Sequence, residues 1–261
     1  MFELQYFLIG LIQGVTEFLP ISSSGHLVLF AELAKWEDQG LFTDIAVHFG
    51  TLFAVLIYMR KEIKFLISNI LAMQILEDKI VFKIIVATIP AIIVGFFIYD
   101  LVNLYFRNIE VMAISSIVFA LILFISDKAK IDEKKNWRNI SFKESFLIGL
   151  CQVLAFIPGA SRAGVTITGA RFLNFNRTDA TKFSMLLSIP IILASLSLSL
   201  LDYYIADEPI LNFYSSVFAA FVAFITALLS ITLMMKIIKI ANFNVFIIYR
   251  ILLGVLILMF V

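Results

Sequence analysis

Cysteine and charged residues are scarce in this chain of 261 residues. Its one cysteine, Cys151, cannot form an internal disulfide, which argues against redox chemistry and against a cysteine metal cage. The net charge is only +1, and the 27 phenylalanines lie in long apolar runs rather than between basic residues, so we expect no nucleic-acid partner. The start, Met-Phe-Glu-Leu-Gln, has no basic segment and no small-residue cleavage site after it, so we expect no removable signal peptide.

Apolar residues, by contrast, make up most of the chain. With 62% hydrophobic residues, 15% charged residues and a mean hydropathy of +1.02, the composition indicates an integral membrane protein. Six segments are long enough to cross a bilayer: 42–59, 80–99, 110–125, 182–201, 211–235 and 243–261. Their all-round hydrophobicity favours helices over barrel strands, in which polar and apolar residues would alternate.

A polar segment, residues 13–26, interrupts the apolar N-terminal region. It reads Gln-Gly-Val-Thr-Glu-Phe-Leu-Pro-Ile-Ser-Ser-Ser-Gly-His. Its apolar flanks, 7–19 and 27–34, are much shorter than the roughly 20 residues that a span needs, which argues against an ordinary loop between two spans. We therefore predict a re-entrant helical hairpin, which is stable at membrane depth only when it is buried in protein or lines a wet cavity. Polar residues in such a place are costly to desolvate and usually functional.

The distribution of lysine and arginine predicts the topology. Five lie within 60–83, six within 128–143, three within 171–182 and two within 236–239, whereas the other connections are nearly bare. The positive-inside rule places these four segments in the cytoplasm and both termini outside. Residues 145–170 must then enter and leave the membrane from the cytoplasmic side as a second re-entrant hairpin, whereas the first hairpin enters from outside.

Short words of the sequence recur in the same order in the two halves. Ile-Gly-Leu-Ile-Gln at 9–13 returns as Ile-Gly-Leu-Cys-Gln at 148–152, and the word at 20–25 returns with one extra residue at 158–164. Chance recurrence is the alternative, and two matches in the same order weaken it. Each half would then hold one hairpin and three spans, and the odd number of spans would invert the second half.

We therefore expect an all-α integral membrane protein with an inverted-topology repeat. The chain would form a single membrane domain, 1–261, with repeat one at about 1–126, a cytoplasmic loop at about 127–143 and repeat two at about 144–261. Its site should lie near the membrane midplane, where the broken helices of the two repeats meet.

In the first hairpin, side chains suited to binding and proton transfer follow one another closely. Gln13 and Glu17 are four residues apart and share a helix face, so together they could hold one cation or one proton donor. Pro20 ends that helix, and three serines follow whose hydroxyls and amides can face a ligand: Ser22, Ser23 and Ser24. Any of the three could instead cap the next helix, and His26 could be a functional or a hydrogen-bonded structural residue.

The second hairpin has the pattern of an oxyanion cradle. Its sequence from residue 158 is Pro-Gly-Ala-Ser-Arg-Ala-Gly-Val-Thr. Gly159 and Gly164 allow close backbone approach, a helix N-terminus follows, and Arg162 offers a bidentate fork to phosphate. Ser161 and Thr166 add hydroxyls. An arginine this deep in a membrane segment has few stable partners, of which a carboxylate is one and a phosphorylated ligand is another.

Together these groups favour phosphoryl chemistry over acyl transfer. Such a reaction needs a carboxylate to place a metal or accept a proton, a serine or histidine to attack, and an arginine for the phosphate oxygens. A transporter or flippase for a lipid phosphate could use the same groups and commonly has the same repeat architecture. A membrane scaffold would leave a buried carboxylate and arginine without a purpose.

Both motifs resemble the signatures of a known family. The segments 13–26 and 158–166 are similar to those of bacterial undecaprenyl-diphosphatases, also called bacitracin-resistance proteins, and the similarity extends over essentially the whole chain. The resemblance implies hydrolysis of undecaprenyl diphosphate to the monophosphate and inorganic phosphate, which recycles the carrier lipid for peptidoglycan synthesis. It further implies a plasma or inner membrane location, an active site facing outside, dependence on Mg²⁺ or Ca²⁺, and an assembly that is often a homodimer.

The resemblance also implies roles for single residues. The implied carboxylate, nucleophile, histidine and phosphate-binding arginine are Glu17, Ser23, His26 and Arg162, which we expect to be catalytic. His26 would activate Ser23 or a water, or protonate the leaving phosphate. The implied metal ligands are Glu17 and Gln13. Because many members have a glutamate at the position of Gln13, the ligands of this chain carry one negative charge fewer than theirs. The residues expected to bind substrate are Gln13, Ser22, Ser24, Gly159, Ser161, Gly164 and Thr166.

Overall fold

The chain folds entirely into helices over the residues that the structure describes. This structure is a computed structural model, and it describes residues 2–36, 39–71, 79–105, 108–206 and 212–260. Within these ranges lie one short 3₁₀-helix, Leu154–Phe156, and eleven α-helices, with no strand. The α-helices are α1 (Phe2–Thr16), α2 (Ser23–Ala34), α3 (Leu41–Tyr58), α4 (Arg60–Leu71), α5 (Ile80–Tyr105), α6 (Ile109–Asp127), α7 (Phe142–Val153), α8 (Arg162–Phe172), α9 (Arg177–Ala206), α10 (Phe213–Ile240) and α11 (Asn244–Phe260).

Five of the six predicted spans are confirmed as helices long and apolar enough to cross a membrane. These are α3, α5, α6, α9 and α10. The sixth predicted span is α11, an apolar helix of 17 residues at the lower end of the length that crosses a bilayer. Large apolar side chains such as Phe97 and Leu233 are exposed on the long helices, at 75% and 60%. Such surface suits contact with lipid and identifies a multi-pass membrane protein.

Two pairs of shorter helices form the predicted hairpins. The first is α1 and α2, of 15 and 12 residues, and the second is α7 and α8, of 12 and 11 residues. At about 1.5 Å per residue none of the four reaches across an apolar layer of roughly 30 Å. The first hairpin packs mainly through α1 on α10, and the second through α7 on α5 and α8 on α6 and α9. Each hairpin is therefore packed on one side against long helices, while Phe30 of the first and Phe146 of the second remain exposed.

Glycine allows the hairpins to approach the long helices closely. A Cβ atom at Gly10 of α1 would collide with the carbonyl oxygen of Ala219 in α10, and one at Gly149 of α7 with that of Ala87 in α5. Small residues are typical of such contacts between membrane helices. The two glycines occupy matching positions in the two words that recur in the sequence.

A buried ion-pair cluster fixes the end of the second hairpin. Arg171, in the last turn of α8, is fully buried and donates from Nη2 to the carbonyl oxygens of Asp127 and Ala129, each at 2.9 Å. The Asp127 carboxylate accepts from Arg177 at 2.7 and 3.1 Å and from the amide of Phe243 at 3.3 Å. The end of α6, the end of α8 and the starts of α9 and α11 are thereby joined, which fixes the end of α8 against its neighbours.

Candidate active site

The breaks of the two hairpins have the same backbone conformation. Ser22 precedes α2 with φ 73° and ψ 100°, and Ser161 precedes α8 with φ 69° and ψ 115°. Positive φ is unfavourable for a residue with a side chain and is found mostly where the surrounding structure enforces it, often at functional sites. Ser161 also caps α8, because its hydroxyl accepts from the amide of Gly164 at 3.2 Å.

Glu17 is the point at which the two hairpins meet. From the second hairpin, Arg162 Nη2 donates to Glu17 Oε1 at 2.9 Å. From the first hairpin, Ser23 Oγ and Gln13 Nε2 donate to Glu17 Oε2 at 2.9 and 3.1 Å. The carboxylate and the guanidinium are only 9% and 14% exposed, so the ion pair is shielded from bulk solvent. The structure therefore brings together four of the predicted residues, separated by up to 149 positions in the chain.

Arg162 is held by α9 as well as by Glu17. Its Nη1 lies 3.3 Å from the carbonyl oxygen of Ser184, and its guanidinium lies 5.7 Å from the ring of Phe18. Thr166, one turn along α8, is fully buried and bonds the Ser184 hydroxyl at 2.7 Å. The hydroxyl of Thr166, a residue predicted to bind substrate, thereby joins α8 to α9.

The three serines of the first hairpin differ in their surroundings. Ser22 is buried, Ser23 is partly buried and Ser24 is exposed. Only Ser23 of the three donates to Glu17, whereas the Ser22 and Ser24 hydroxyls lie 3.5 Å from each other. The sequence alone gave no physical reason to rank them. The contact with Glu17 distinguishes Ser23 as the serine whose hydroxyl faces a carboxylate.

His26 is buried, and both of its ring nitrogens have partners. Nδ1 lies 2.6 Å from the carbonyl oxygen of Ser22, and Nε2 lies 2.6 Å from the hydroxyl of Tyr249 in α11. The predicted activation of Ser23 by His26 is therefore not the arrangement in this structure, because the Ser23 hydroxyl donates to Glu17 instead. The reason is the turn at Ser22, whose carbonyl oxygen faces the imidazole.

Arg250, next to Tyr249, was missed by the sequence reasoning. It is fully buried and donates to the carbonyl oxygens of Pro20, Gly159 and Ala160 at 3.2, 2.7 and 3.1 Å. These acceptors are neutral, so Arg250 adds a positive charge between the two breaks. A signal was available, since Arg250 is the single charged residue of α11 and a charge inside an apolar helix is usually functional.

The two predicted glycines of the second hairpin approach protein groups. A Cβ at Gly159, where φ is 88°, would collide with the Met112 carbonyl oxygen and the Ser115 hydroxyl of α6. A Cβ at Gly164 would lie 3.1 Å from Nη1 of Arg250. Close packing on α6 and on Arg250 is therefore one reason for glycine at these two positions.

The residues around Glu17 also bear on the expected metal. No group of three or more His, Cys, Asp or Glu that could hold a metal occurs in the part of the chain that the structure describes. The oxygen Oε1 of Gln13, however, is buried beside Glu17 without a hydrogen-bond partner. Mg²⁺ is commonly held by one or two protein oxygens together with substrate phosphate oxygens and water. The residues present therefore fit a cation whose coordination is completed by a phosphorylated substrate.

These features define a class of protein: a multi-pass membrane protein whose two helical hairpins meet around a buried carboxylate, serine and arginine suited to an anionic group. The family model described as "Bacitracin resistance protein BacA" matches residues 6–256, and the chain belongs to this family. A curated relative from Alteromonas mediterranea, named undecaprenyl-diphosphatase, is 41% identical over 259 residues, covering 97% of each chain. The resemblance inferred from the two motifs is thereby confirmed.

Proposed function

We propose that this protein hydrolyses undecaprenyl diphosphate to undecaprenyl phosphate and inorganic phosphate where its two hairpins meet. Its family and its relative, an undecaprenyl-diphosphatase, support the reaction. We assign the site to the surroundings of Glu17, because this carboxylate contacts Ser23 in one hairpin and Arg162 in the other. The reaction recycles the carrier lipid for peptidoglycan synthesis and accounts for bacitracin resistance.

Arg162 and the start of α8 bind the terminal phosphate. A planar guanidinium forms paired hydrogen bonds with phosphate oxygens, and the free amides of a helix N-terminus favour an anion. Arg162 is paired with Glu17 before substrate binds. When substrate binds, Arg162 turns from Glu17 to the phosphate, and the Glu17 carboxylate keeps its contact with the Ser23 hydroxyl.

Ser23 is the proposed nucleophile and Glu17 its base. The Ser23 hydroxyl already donates to Glu17 at 2.9 Å, within the distance needed for proton transfer. Glu17 takes this proton as Oγ bonds the terminal phosphorus, and the bond from phosphorus to the bridging oxygen breaks, releasing undecaprenyl phosphate. Water then hydrolyses the phosphoserine. Rapid-quench trapping of phosphorylated Ser23 would support this path, whereas isotope exchange showing direct attack by water would exclude it.

A divalent cation, Mg²⁺ or Ca²⁺, takes part in this proposal. Glu17 and Oε1 of Gln13 would hold it, together with oxygens of the diphosphate. When bound, it would offset the negative charge that develops on the leaving group. Gln13 supplies a neutral oxygen where a second carboxylate would add charge, so affinity for the free cation should be weak without the diphosphate.

The site opens to the external side of the plasma membrane in this proposal. The excess of lysine and arginine at 60–83 and 128–143 supports it, because these segments belong in the cytoplasm under the positive-inside rule. The inverted repeat is supported by the matching conformations of Ser22 and Ser161 and the matching contacts of Gly10 and Gly149. An assembly as a homodimer is part of the same proposal. Labelling of single cysteines by an impermeant maleimide in whole cells tests the orientation.

The competing function is a transporter or flippase of a polyprenyl phosphate. A carrier needs groups that bind the head group, whereas a hydrolase also needs a hydroxyl placed against a base, and the contact of Ser23 with Glu17 favours the hydrolase. The test is phosphate release from undecaprenyl diphosphate by the detergent-purified protein with Mg²⁺, Ca²⁺ or chelator, for wild type, Glu17→Ala and Arg162→Ala. Metal-dependent release that is lost in both variants supports the proposal. A folded wild type that binds the lipid without releasing phosphate would favour the carrier.

A further inference from the structure

The hydroxyl of Tyr249 lies in α11, 223 positions from the histidine that it contacts. It is 2.6 Å from Nε2 of His26, and the two rings are stacked with centroids 5.6 Å apart and planes 7° from parallel. The other nitrogen, Nδ1, faces the carbonyl oxygen of Ser22 at 2.6 Å. Because a carbonyl oxygen can only accept, Nδ1 carries the hydrogen. In neutral His26, Nε2 is then the acceptor, and Tyr249 is the donor.

A continuous series of contacts runs from Tyr249 to the proposed nucleophile. His26 bonds the carbonyl oxygen of Ser22, the residue held at φ 73° directly before α2. The next residue is Ser23, whose hydroxyl donates to Glu17 at 2.9 Å. A small rotation of the imidazole would release the Ser22 carbonyl and let the turn relax, which would move the Ser23 hydroxyl away from Glu17.

Tyr249 is itself held in place. Arg250, the next residue, is fully buried between the two hairpins and fixes α11 at this level. The Tyr249 ring is 42% exposed, so its hydroxyl is presented at the edge of the packed core and not within it. The phenol therefore has a defined position from which to orient His26.

We propose that Tyr249 is a positioning residue of this enzyme, which holds His26 in its Nδ1–H tautomer and thereby keeps the Ser22–Ser23 turn directed at Glu17. The inference rests on the proposed roles of Ser23 and Glu17. Tyr249 acts through His26, so removing its hydroxyl should slow the chemical step and leave substrate affinity unchanged. A group that only stabilises the fold would not change the tautomer of one histidine.

The test begins with Tyr249→Phe, which removes only the hydroxyl. We expect kcat for phosphate release to fall roughly three- to tenfold, which corresponds to one net hydrogen bond, while KM stays within about twofold. Tyr214→Phe, which removes the same group from an exposed position in α10, is the matched control and should match the wild type. Thermal unfolding of both variants in detergent shows whether the fold is intact. An unchanged kcat in Tyr249→Phe would overturn the proposal.

Two further measurements separate positioning from a general structural effect. The chain has only two histidines, so ¹⁵N-histidine labelling in a His48→Gln background reports His26 alone. We expect Nδ1 to carry the proton and the Nε2 resonance to move in Tyr249→Phe. An unmoved resonance would overturn the proposal.

The second measurement is a double-variant cycle. In a His26→Gln background, Tyr249→Phe should have no further effect on the residual rate, because its partner is gone. An equal loss in both backgrounds would overturn the inference. Full activity of His26→Gln would overturn it too, while phosphate release by the wild type would still establish the hydrolase.

Discussion

Arg250 and Gly159 are joined by a hydrogen bond of 2.7 Å from Nη2 to the carbonyl oxygen, at the break of the second hairpin. The same guanidinium reaches the carbonyl oxygen of Pro20, at the break of the first, at 3.2 Å. One side chain of α11 thus holds both breaks together. Glu17 and Arg162 can pair only while the breaks stay adjacent, so Arg250 determines the geometry of the site without belonging to the pair.

Arg250→Lys should therefore lose both stability and activity. An ammonium group lacks the planar fork and cannot reach all of these carbonyl oxygens, so at least one stays buried without a donor, at a cost of about 1–3 kcal/mol. We expect a lower unfolding midpoint in detergent and a loss of phosphate release of at least about tenfold. Lys236→Arg, a conservative exchange at an exposed position of α10, is the control. Wild-type stability and turnover in Arg250→Lys would show that the hydrogen bonds of Arg250 to the two breaks are not needed.

Substitutions of Glu17 and of Arg162 should have different kinetic effects, the first on catalysis and the second on substrate binding. Glu17→Gln keeps a side chain of the same shape but cannot accept the proton of Ser23, so kcat should fall by about 10²-fold or more. Arg162→Lys keeps the charge but loses the fork, so KM should rise roughly tenfold or more. Steady-state phosphate release gives both constants. The control is Glu133→Gln in the exposed loop before α7. Equal changes in kcat and KM for both variants would contradict this division.

The hairpins could be predicted from sequence because their signal is local. Apolar segments about half as long as a span, on either side of proline and glycine, indicate a broken helix wherever they occur. The pairing of Arg162 with a carboxylate follows from the cost of a lone charge in an apolar layer. The contact of Tyr249 with His26 could not be predicted in this way. It joins positions 223 residues apart, and α11 reads as an ordinary apolar helix except at Arg250.

Backbone conformation was equally inaccessible. Serine normally avoids positive φ, so nothing in the residue type predicts 73° at Ser22 or 69° at Ser161. The turn at Ser22 leads directly into Ser23, the serine that donates to Glu17, and the turn at Ser161 leads into Arg162. The sequence therefore indicated the groups available for the chemistry, whereas the tertiary contacts of α11 and the two strained turns determine which groups meet.

Ser23→Ala should have a larger effect than substitution of either neighbouring serine. It removes the hydroxyl that donates to Glu17, whereas Ser22 and Ser24 contact each other. We expect phosphate release to fall by about 10²-fold or more in Ser23→Ala, as for loss of an activated nucleophile, and by less than about tenfold in Ser24→Ala. Ser197→Ala, at an exposed position of α9, is the control. A smaller loss in Ser23→Ala than in Ser24→Ala would contradict the assignment of Ser23.

Glu144 at the start of α7 should make stability depend on pH. Burial opposes its ionisation, but hydrogen bonds from Lys135, at 2.6 Å, and from Ser141 outweigh it and lower the pKa of Glu144 below its ordinary 4.5. Because the pKa is lower in the folded state, the carboxylate contributes its full stability above pH 4.5 and loses it as the pH falls through the lower folded value.

Glu144→Gln tests this dependence. The amide cannot ionise, so the variant should unfold at a lower temperature at neutral pH and should lose less stability than the wild type as the pH falls below 4.5. Unfolding midpoints in detergent between about pH 3 and 7 provide the measurement, since this window spans the titration of a carboxyl group. Asp132→Asn in the same loop is a comparison, because the Asp132 carboxylate accepts from the Lys134 amide at 3.0 Å. If the unfolding midpoints of wild type and Glu144→Gln changed in parallel with pH, the ion pair of Glu144 with Lys135 would make no pH-dependent contribution to stability.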